Sequence, residues 1–143
     1  QLFDSWAGSL SPADYRTHVA PASARALGMV PGGDTPAVPT IHFAVGAGHL
    51  LEEFAGLGTS AIGVDWRMPL DEASARLGDA VPLQGNLDPA YLAAPPAVLE
   101  AHLDDVLRRA SRAPGHVLNL GHGVPPEADP AVLTRIVELA HAR

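Results

Sequence analysis

The sequence contains no cysteine, which excludes disulfides, thiol nucleophiles and thiolate metal sites. It has no apolar run long enough to span a bilayer and no segment patterned as a signal peptide. A cytoplasmic protein without a membrane partner is the expectation. Positive charge is scarce: nine basic residues, all arginine and scattered along the chain, face sixteen acidic ones, for a net charge of −7. No basic stripe is available to follow a phosphate backbone, so nucleic acid is excluded as a partner. An acidic chain can still enclose a cationic pocket. With 47% hydrophobic and 17% charged residues, the composition is that of a globular domain with enough apolar material for a core.

Five short apolar runs each end in polar or glycine residues. Leu2-Phe3 precedes Asp4-Ser5, Thr40 to Val45 precedes Gly46-Ala47-Gly48, and Ala61 to Val64 precedes Asp65-Trp66-Arg67. Val81 to Leu83 precedes Gln84-Gly85-Asn86, and His116 to Leu120 precedes Gly121-His122-Gly123. These read as strands.

Between them lie stretches of helical period. Asp129 stands as N-cap before Pro130, and Val132, Leu133, Ile136, Val137 and Ala140 form one stripe. Pro96 opens a helix with Val98, Leu99, His102, Leu103, Val106 and Leu107 on one face, and with Glu100, Asp104 and Arg108 at spacings of four on the polar side. Ser11-Pro12 starts an earlier helix along Tyr15, Val19 and Ala22, which Pro21 should kink or restart. Weaker helical patterns follow Gly48 (Leu50, Leu51, Phe54) and Pro69 (Leu70, Ala73, Leu77). Fourteen glycines and fourteen prolines suit many short loops, and Val30-Pro31-Gly32-Gly33-Asp34-Thr35-Pro36 reads as a mobile surface connection within one domain.

Strands alternating with helices predict a mostly parallel sheet whose polar strand ends share one face. Ser5, Asp65, Arg67, Asn86, Asn119 and His122 would gather there, whether the sheet is a β/α (TIM) barrel or a doubly wound open sheet. The pattern alone does not choose. A complete barrel usually needs about 250 residues, whereas this chain has 143 and begins with Gln1 inside the first strand. It is expected to be a single partial domain over 1–143, with no second domain and with apolar edges left uncovered.

Asn119-Leu120-Gly121-His122-Gly123-Val124-Pro125-Pro126 places an imidazole between two glycines where a strand ends. Glycines there permit a sharp turn or positive φ and put nothing bulky before the ring. A loop histidine beside a tight turn is the plain alternative.

Four segments together carry a resemblance: Gln1-Leu2-Phe3-Asp4-Ser5-Trp6-Ala7-Gly8 with Leu10-Ser11-Pro12, Gly63-Val64-Asp65-Trp66-Arg67, Leu83-Gln84-Gly85-Asn86-Leu87-Asp88-Pro89, and Asn119-Leu120-Gly121-His122-Gly123. In order and spacing the chain resembles the uroporphyrinogen decarboxylase family of haem biosynthesis. The resemblance implies a β/α barrel of which this chain supplies the last five βα units, with the amino-terminal arginines, an aspartate and a tyrosine of the family site lying in the part not represented. It implies decarboxylation of the four acetate arms of uroporphyrinogen to give coproporphyrinogen, without a metal or organic cofactor, by a homodimer. Among the residues present it implies Ser5 and His122 as catalytic and substrate-binding groups. His122 would serve as donor or partial cation to a substrate carboxylate, and Ser5 as a hydroxyl donor.

Other positions read more simply. Asp65-Trp66-Arg67 is expected to brace the barrel rim through a buried indole and an ion pair, and Asn86 with Asp88-Pro89 to form a strand end and helix cap. His42, between Ile41 and Phe43, reads as a packed strand histidine, and His18, His49, His102, His116 and His141 show no metal-ligand spacing. Two other function classes stand beside the lyase. One is the related barrel methyltransferases that activate a thiol with zinc, against which the missing cysteine counts; the other is a non-catalytic module that binds a tetrapyrrole or a complementary half.

Overall fold

The computed structural model describes residues 1–28 and 38–143. The loop expected over Val30 to Pro36 lies outside the described residues. The five apolar runs form β1 (Leu2–Phe3), β2 (Ile41–Phe43), β3 (Ala61–Gly63), β4 (Leu83–Leu87) and β5 (His116–Leu120). All pair in parallel, and their order in the sheet is their order in the chain.

That order decides between the two architectures. A doubly wound sheet reverses strand order at its switch point, and no reversal occurs here. The sheet also curls. Laid flat, β1 and β5 would stand about 19 Å apart at the usual strand spacing. Instead Gln84 Nε2 on β4 donates to Gln1 Oε1 beside β1 at 3.2 Å, and Phe3 of β1 and Asn119 of β5 bound one cavity. The fold is a partial β/α barrel. Among the described residues β1 and β5 each pair on one side only.

Register sorts the strand residues into two faces. Phe3, Phe43, Gly63, Gln84 and Val117 form a row across the inner face, while Leu2, His42, Ile62, Leu83 and His116 form the row facing the helices. The outer row meets the core built on Leu50, Phe54, Leu70, Leu103 and Ile136. Strand β4 departs from the sequence expectation: Gln84, Gly85 and Asn86 lie within it and are buried, not beyond its end. Pairing to β3 and β5 on both sides satisfies the backbone there. Gly85 at φ +132° runs so close to β3 that a Cβ would stand 2.5 Å from the Val64 carbonyl oxygen.

The helices are α1 (Pro12–Asp14), α2 (Ala20–Gly28), α3 (Leu51–Ala55), α4 (Leu70–Arg76), α5 (Pro96–Ala110) and α6 (Pro130–His141). Three side-chain caps start helical segments: Ser11 Oγ accepts the Asp14 amide at 3.1 Å, Asp88 that of Ala90 at 2.9 Å, and Asp129 that of Ala131 at 2.9 Å. A π-helical stretch, Tyr15–Val19, joins α1 to α2 just ahead of Pro21. The wider turn relieves the clash a proline ring makes with the preceding turn and advances the helical phase. The buried face therefore runs through Tyr15, Ala20, Ser23 and Leu27, and Ala22, expected on it, is exposed.

Two stripe residues likewise turn outward. Val98 of α5 and Val137 of α6 are exposed, and Ala110 and Leu139 complete the buried faces. The expected Asp104–Arg108 pairing within α5 is replaced: Arg108 pairs with Asp105 in the same helix, and other charges reach neighbouring helices. Glu100 pairs with Arg135 of α6 at 3.4 Å, Asp104 pairs with Arg143 just beyond it, and Arg109 reaches Asp71 of α4 at 3.0 Å. Arg76 of α4 pairs with Glu52 of α3 at 2.6 Å, and Arg16 with Glu53.

Apolar surface remains open, as the partial barrel predicts: Phe3 is 65% exposed, Trp6 86% and Val117 50%. Among the described residues no helix is long and apolar enough to cross a membrane.

Candidate active site at the carboxyl ends of the strands

At the end of β5 the Gly121 amide donates to the Leu87 carbonyl at 2.7 Å, carrying the β4–β5 ladder one bond further. His122 follows, exposed. Of the two options expected of the flanking glycines, the chain takes the sharp turn, bending at Gly121 and His122, and neither glycine has a positive φ. Gly121 is needed for close approach: a Cβ there would stand 2.5 Å from the Trp66 amide nitrogen and 3.0 Å from its Cα. Around Gly123 there is open space.

Trp66 is thereby brought to His122. The rings meet edge to face, with centroids 5.9 Å apart and planes at 89°. The Arg67 guanidinium carbon lies 3.9 Å from the centre of the indole, a cation–π distance. Arg67 is in turn held by Asp65, whose Oδ2 accepts Nη1 at 3.0 Å and whose Oδ1 accepts the Arg67 amide at 2.9 Å. Buried Asp65 also accepts the Gly46 amide, tying the loop after β2 to the loop after β3. Asn86 braces the same loop, its Nδ2 donating to the carbonyls of Asp65 at 2.8 Å and Met68 at 2.6 Å. Asp65 and Arg67 thus build the rim, as expected, while Asn86, expected with Asp88-Pro89 as a strand end and helix cap, braces it from within β4 and leaves the cap to Asp88. Trp66 is half-buried and touches the candidate histidine.

His122 lies between two cavities. The first, of about 260 Å³, is on the inner face, where Phe3, Phe43, Gln84 and Asn119 join it. Phe3 and Phe43 pack edge to face, centroids 6.1 Å apart, and make its apolar wall. Asn119 turns its Oδ1 back onto the Leu120 amide at 2.9 Å, which leaves its NH₂ as a donor. The second cavity, of about 520 Å³, lies over the rim between Trp66, Asp88, Pro89, His122 and Pro125.

Ser5 sits exposed in the turn after β1, on the same rim as His122, and lines neither of these cavities. The structure therefore joins His122 to Asn119, Gln84, Phe3 and Phe43, and places Ser5 outside that group. Asn119 was expected on this face from the sequence, whereas Phe3, Phe43 and Gln84 were not assigned to a site. Strand alternation was the available signal, since Phe3, Phe43, Gln84 and Asn119 all share the inward parity of their strands.

Three other histidines are engaged elsewhere. His102 Nε2 accepts the Asp88 amide at 3.1 Å and its ring stacks on Tyr91 at 3.9 Å. Burial holds His102 below the ordinary imidazole range, and does the same to His116, whose Nε2 bonds the Gly85 carbonyl. His49 Nε2 bonds the Leu10 carbonyl at 2.8 Å. Among the described residues no group of three acidic or histidine side chains is arranged to hold a metal ion. The site offers one apolar face for a ring, with an imidazole and an amide donor at its edge for anionic substituents.

The model of the uroporphyrinogen decarboxylase family, URO-D, matches residues 1–143. Similar curated proteins named uroporphyrinogen decarboxylase include one from Arthrobacter sp. (strain FB24), 62% identical over 142 residues, and one from Leifsonia xyli subsp. xyli, 60% identical over 154 residues. Another, from Tropheryma whipplei (strain Twist), is 53% identical over 154 residues. Each alignment covers 99% of this chain and 40 to 41% of the relative, so the chain spans about two fifths of their length. Family match, parallel strand order and the Asn-Leu-Gly-His-Gly strand end agree, and the chain belongs to the uroporphyrinogen decarboxylase family.

Proposed function

We propose that these 143 residues form the carboxyl-terminal part of a one-domain uroporphyrinogen decarboxylase, which converts the four acetate arms of uroporphyrinogen to methyl groups and yields coproporphyrinogen. The observation that carries the reading is the inner-face cavity, which the Phe3–Phe43 pair lines together with Asn119 and His122. A pyrrole ring is flat and apolar and its acetate arms are anions, which is the pairing this cavity accommodates.

The reaction needs an electron sink, and the pyrrole supplies it. Protonation of the ring carbon beside the acetate draws electrons inward; the C–CO₂⁻ bond breaks, CO₂ leaves, and the bonding pair forms an exocyclic methylene. A proton added to that methylene gives the methyl group as the ring carbon releases the proton it took. Each cycle consumes one proton and releases one CO₂. His122 donates a hydrogen bond to a carboxylate arm and adds positive charge when protonated, and Ser5 donates its hydroxyl to another arm from across the rim. The reading requires neither metal nor organic cofactor. It places the complete protein in the cytoplasm as a homodimer, in keeping with the family resemblance.

The test is anaerobic incubation of the full-length protein with uroporphyrinogen, with and without chelator, following CO₂ and coproporphyrinogen. Turnover that survives chelation is expected. Saturable binding without CO₂ release would replace the enzyme by a tetrapyrrole-binding module.

A further inference from the structure

His42 is fully buried, and neither of its ring nitrogens has a hydrogen-bond partner among the described residues. It stands in the middle of β2 on the helix side, stacked on Phe54 of α3 with centroids 4.1 Å apart and planes at 28°. The nearest charged atom is Asp4 Oδ2, 3.5 Å from Nε2. The same oxygen faces Ser23 Oγ at 3.2 Å and the Tyr15 hydroxyl at 3.4 Å. The Ser23 and Tyr15 hydroxyls, from α2 and the π-helical stretch, donate to this one carboxylate oxygen at long range, and the His42 ring from β2 faces it without a hydrogen bond.

Asp4 immediately precedes Ser5. Its amide donates to the Phe43 carbonyl at 2.9 Å, and its carbonyl accepts the Ala7 amide at 3.0 Å, so Asp4 pins the turn that carries Ser5 to the end of β1. Packing alone does not call for an imidazole beneath that pin. An apolar side chain against Phe54 would fill the space without stranding two ring nitrogens.

We propose that His42 is a positioning residue: through the Asp4 carboxylate it sets the turn that presents Ser5. The inference rests on the reading of Ser5 as a substrate-binding group. Burial holds His42 below the ordinary imidazole range, against the opposing pull of Asp4, so the neutral ring faces the carboxylate without a hydrogen bond. Acidification converts that contact to an ion pair and draws the carboxylate toward β2. The groups facing this contact are Asp4 from the turn after β1, Phe54 from α3, and Ser23 and Tyr15 around the shared oxygen, with Glu53 acting on Tyr15. Tyr15, pushed up to about 12 chiefly by burial, stays protonated throughout.

The test is an NMR titration of the full-length protein from about pH 7.5 to about 4.5, reading the His42 ring and the Ser5 amide and Cβ together. The His42 midpoint should fall below the reference value of about 6.5, and Ser5 should shift with the same midpoint. In His42→Leu the Ser5 shift should vanish while the melting temperature holds. Its kcat should drop several-fold and lose the acidic limb of its pH profile, and His42→Gln, which keeps an N–H donor, should recover part of both. A Ser5 signal indifferent to His42 titration, or His42→Leu with wild-type kcat, KM and pH profile, would overturn the proposal. Should His42→Leu not fold, the wild-type titration still decides. Because that titration reads no turnover, coupling without decarboxylation would fell the functional reading alone, and turnover without coupling would fell the positioning role alone.

Discussion

Gly121 lies flat against the backbone of Trp66, with room for a hydrogen but none for a methyl group. Gly121→Ala should therefore push the end of β5 away from the β3 rim and move His122. Overpacking against backbone, which cannot rotate aside, should cost about 1–3 kcal/mol. Gly123→Ala, with open space around it, should be silent. Equal melting temperatures for the two variants would contradict the close approach.

In the full-length protein His122→Asn should keep the fold and lose function. Removing one charge-assisted bond to a carboxylate costs about 1.5–3 kcal/mol, roughly ten-fold to a hundred-fold in kcat/KM. Ser5→Ala should be milder, since a neutral hydroxyl contributes less. A lowered melting temperature with normal kinetics in the folded fraction would make His122 structural.

Asn86 should behave in the opposite way. Its NH₂ group satisfies the carbonyls of Asp65 and Met68 from a buried position. Asn86→Ala leaves both without that donor, a loss of about 2–4 kcal/mol. Asn86→Asp should be worse than alanine, because it aims an acceptor at two acceptors. Denaturant unfolding of the three proteins orders them.

Much of the fold was legible beforehand because its signals are local. Asp88-Pro89, Asp129-Pro130 and Ser11-Pro12 announce helix starts within a few residues, and capping chemistry acts over that range. Strand order is a long-range property with no residue to mark it, so the strand pattern alone left barrel and open sheet undivided; the family resemblance implied the barrel, and the strand order with Gln84 against Gln1 agrees with it. Strand β4 was cut short because Gln84 and Asn86 are polar, yet an inward amide can be satisfied by a neighbouring loop as well as by water. The glycines beside His122 announced its turn and its openness, but not that Gly121 also admits the backbone of Trp66, a partner far off in sequence. Phe3 and Phe43 were overlooked because an apolar residue in a strand carries no mark of whether it faces a core or a cavity.

Stability should fall with acidity in two stages. Burial lowers His42, His102 and His116 from an ordinary value near 6.5. Below about pH 6.5 the unfolded chain binds protons that the folded chain refuses, so stability declines as pH falls toward the folded-state midpoints. Asp71, Asp79, Asp104, Asp105 and Glu52 are held low by bonds to their arginine partners. Their contribution is intact above the usual carboxylate range, about pH 4, and disappears as pH drops through their lowered values. Calorimetric melting from about pH 8 to 3 should show both declines. A flat profile between about pH 7 and 5 would contradict the first.

Taken alone, the segment should self-associate. Phe3, Trp6 and Val117 present large apolar surface on and beside the inner face, and surfaces of this kind seek a partner. Sedimentation should show concentration-dependent species, and Phe3→Ser with Val117→Ser should reduce them. A monomer unchanged by those substitutions would count against it.

Among the described residues β1 and β5 each have one edge without a strand neighbour, and those edges are directional. At β1 and at β5 the backbone runs the same way, so strands that continue the sheet's parallel pattern at either edge must run that way too. A hairpin cannot supply such a neighbour; the chain has to travel back along the outside first, which takes about a dozen residues or more and winds right-handed. A second copy docked by simple two-fold symmetry, edge to like edge, would meet it antiparallel. The sheet's polarity thus separates continuation of the barrel from pairing between copies, and the two would leave different hydrogen-bond ladders at the same edge.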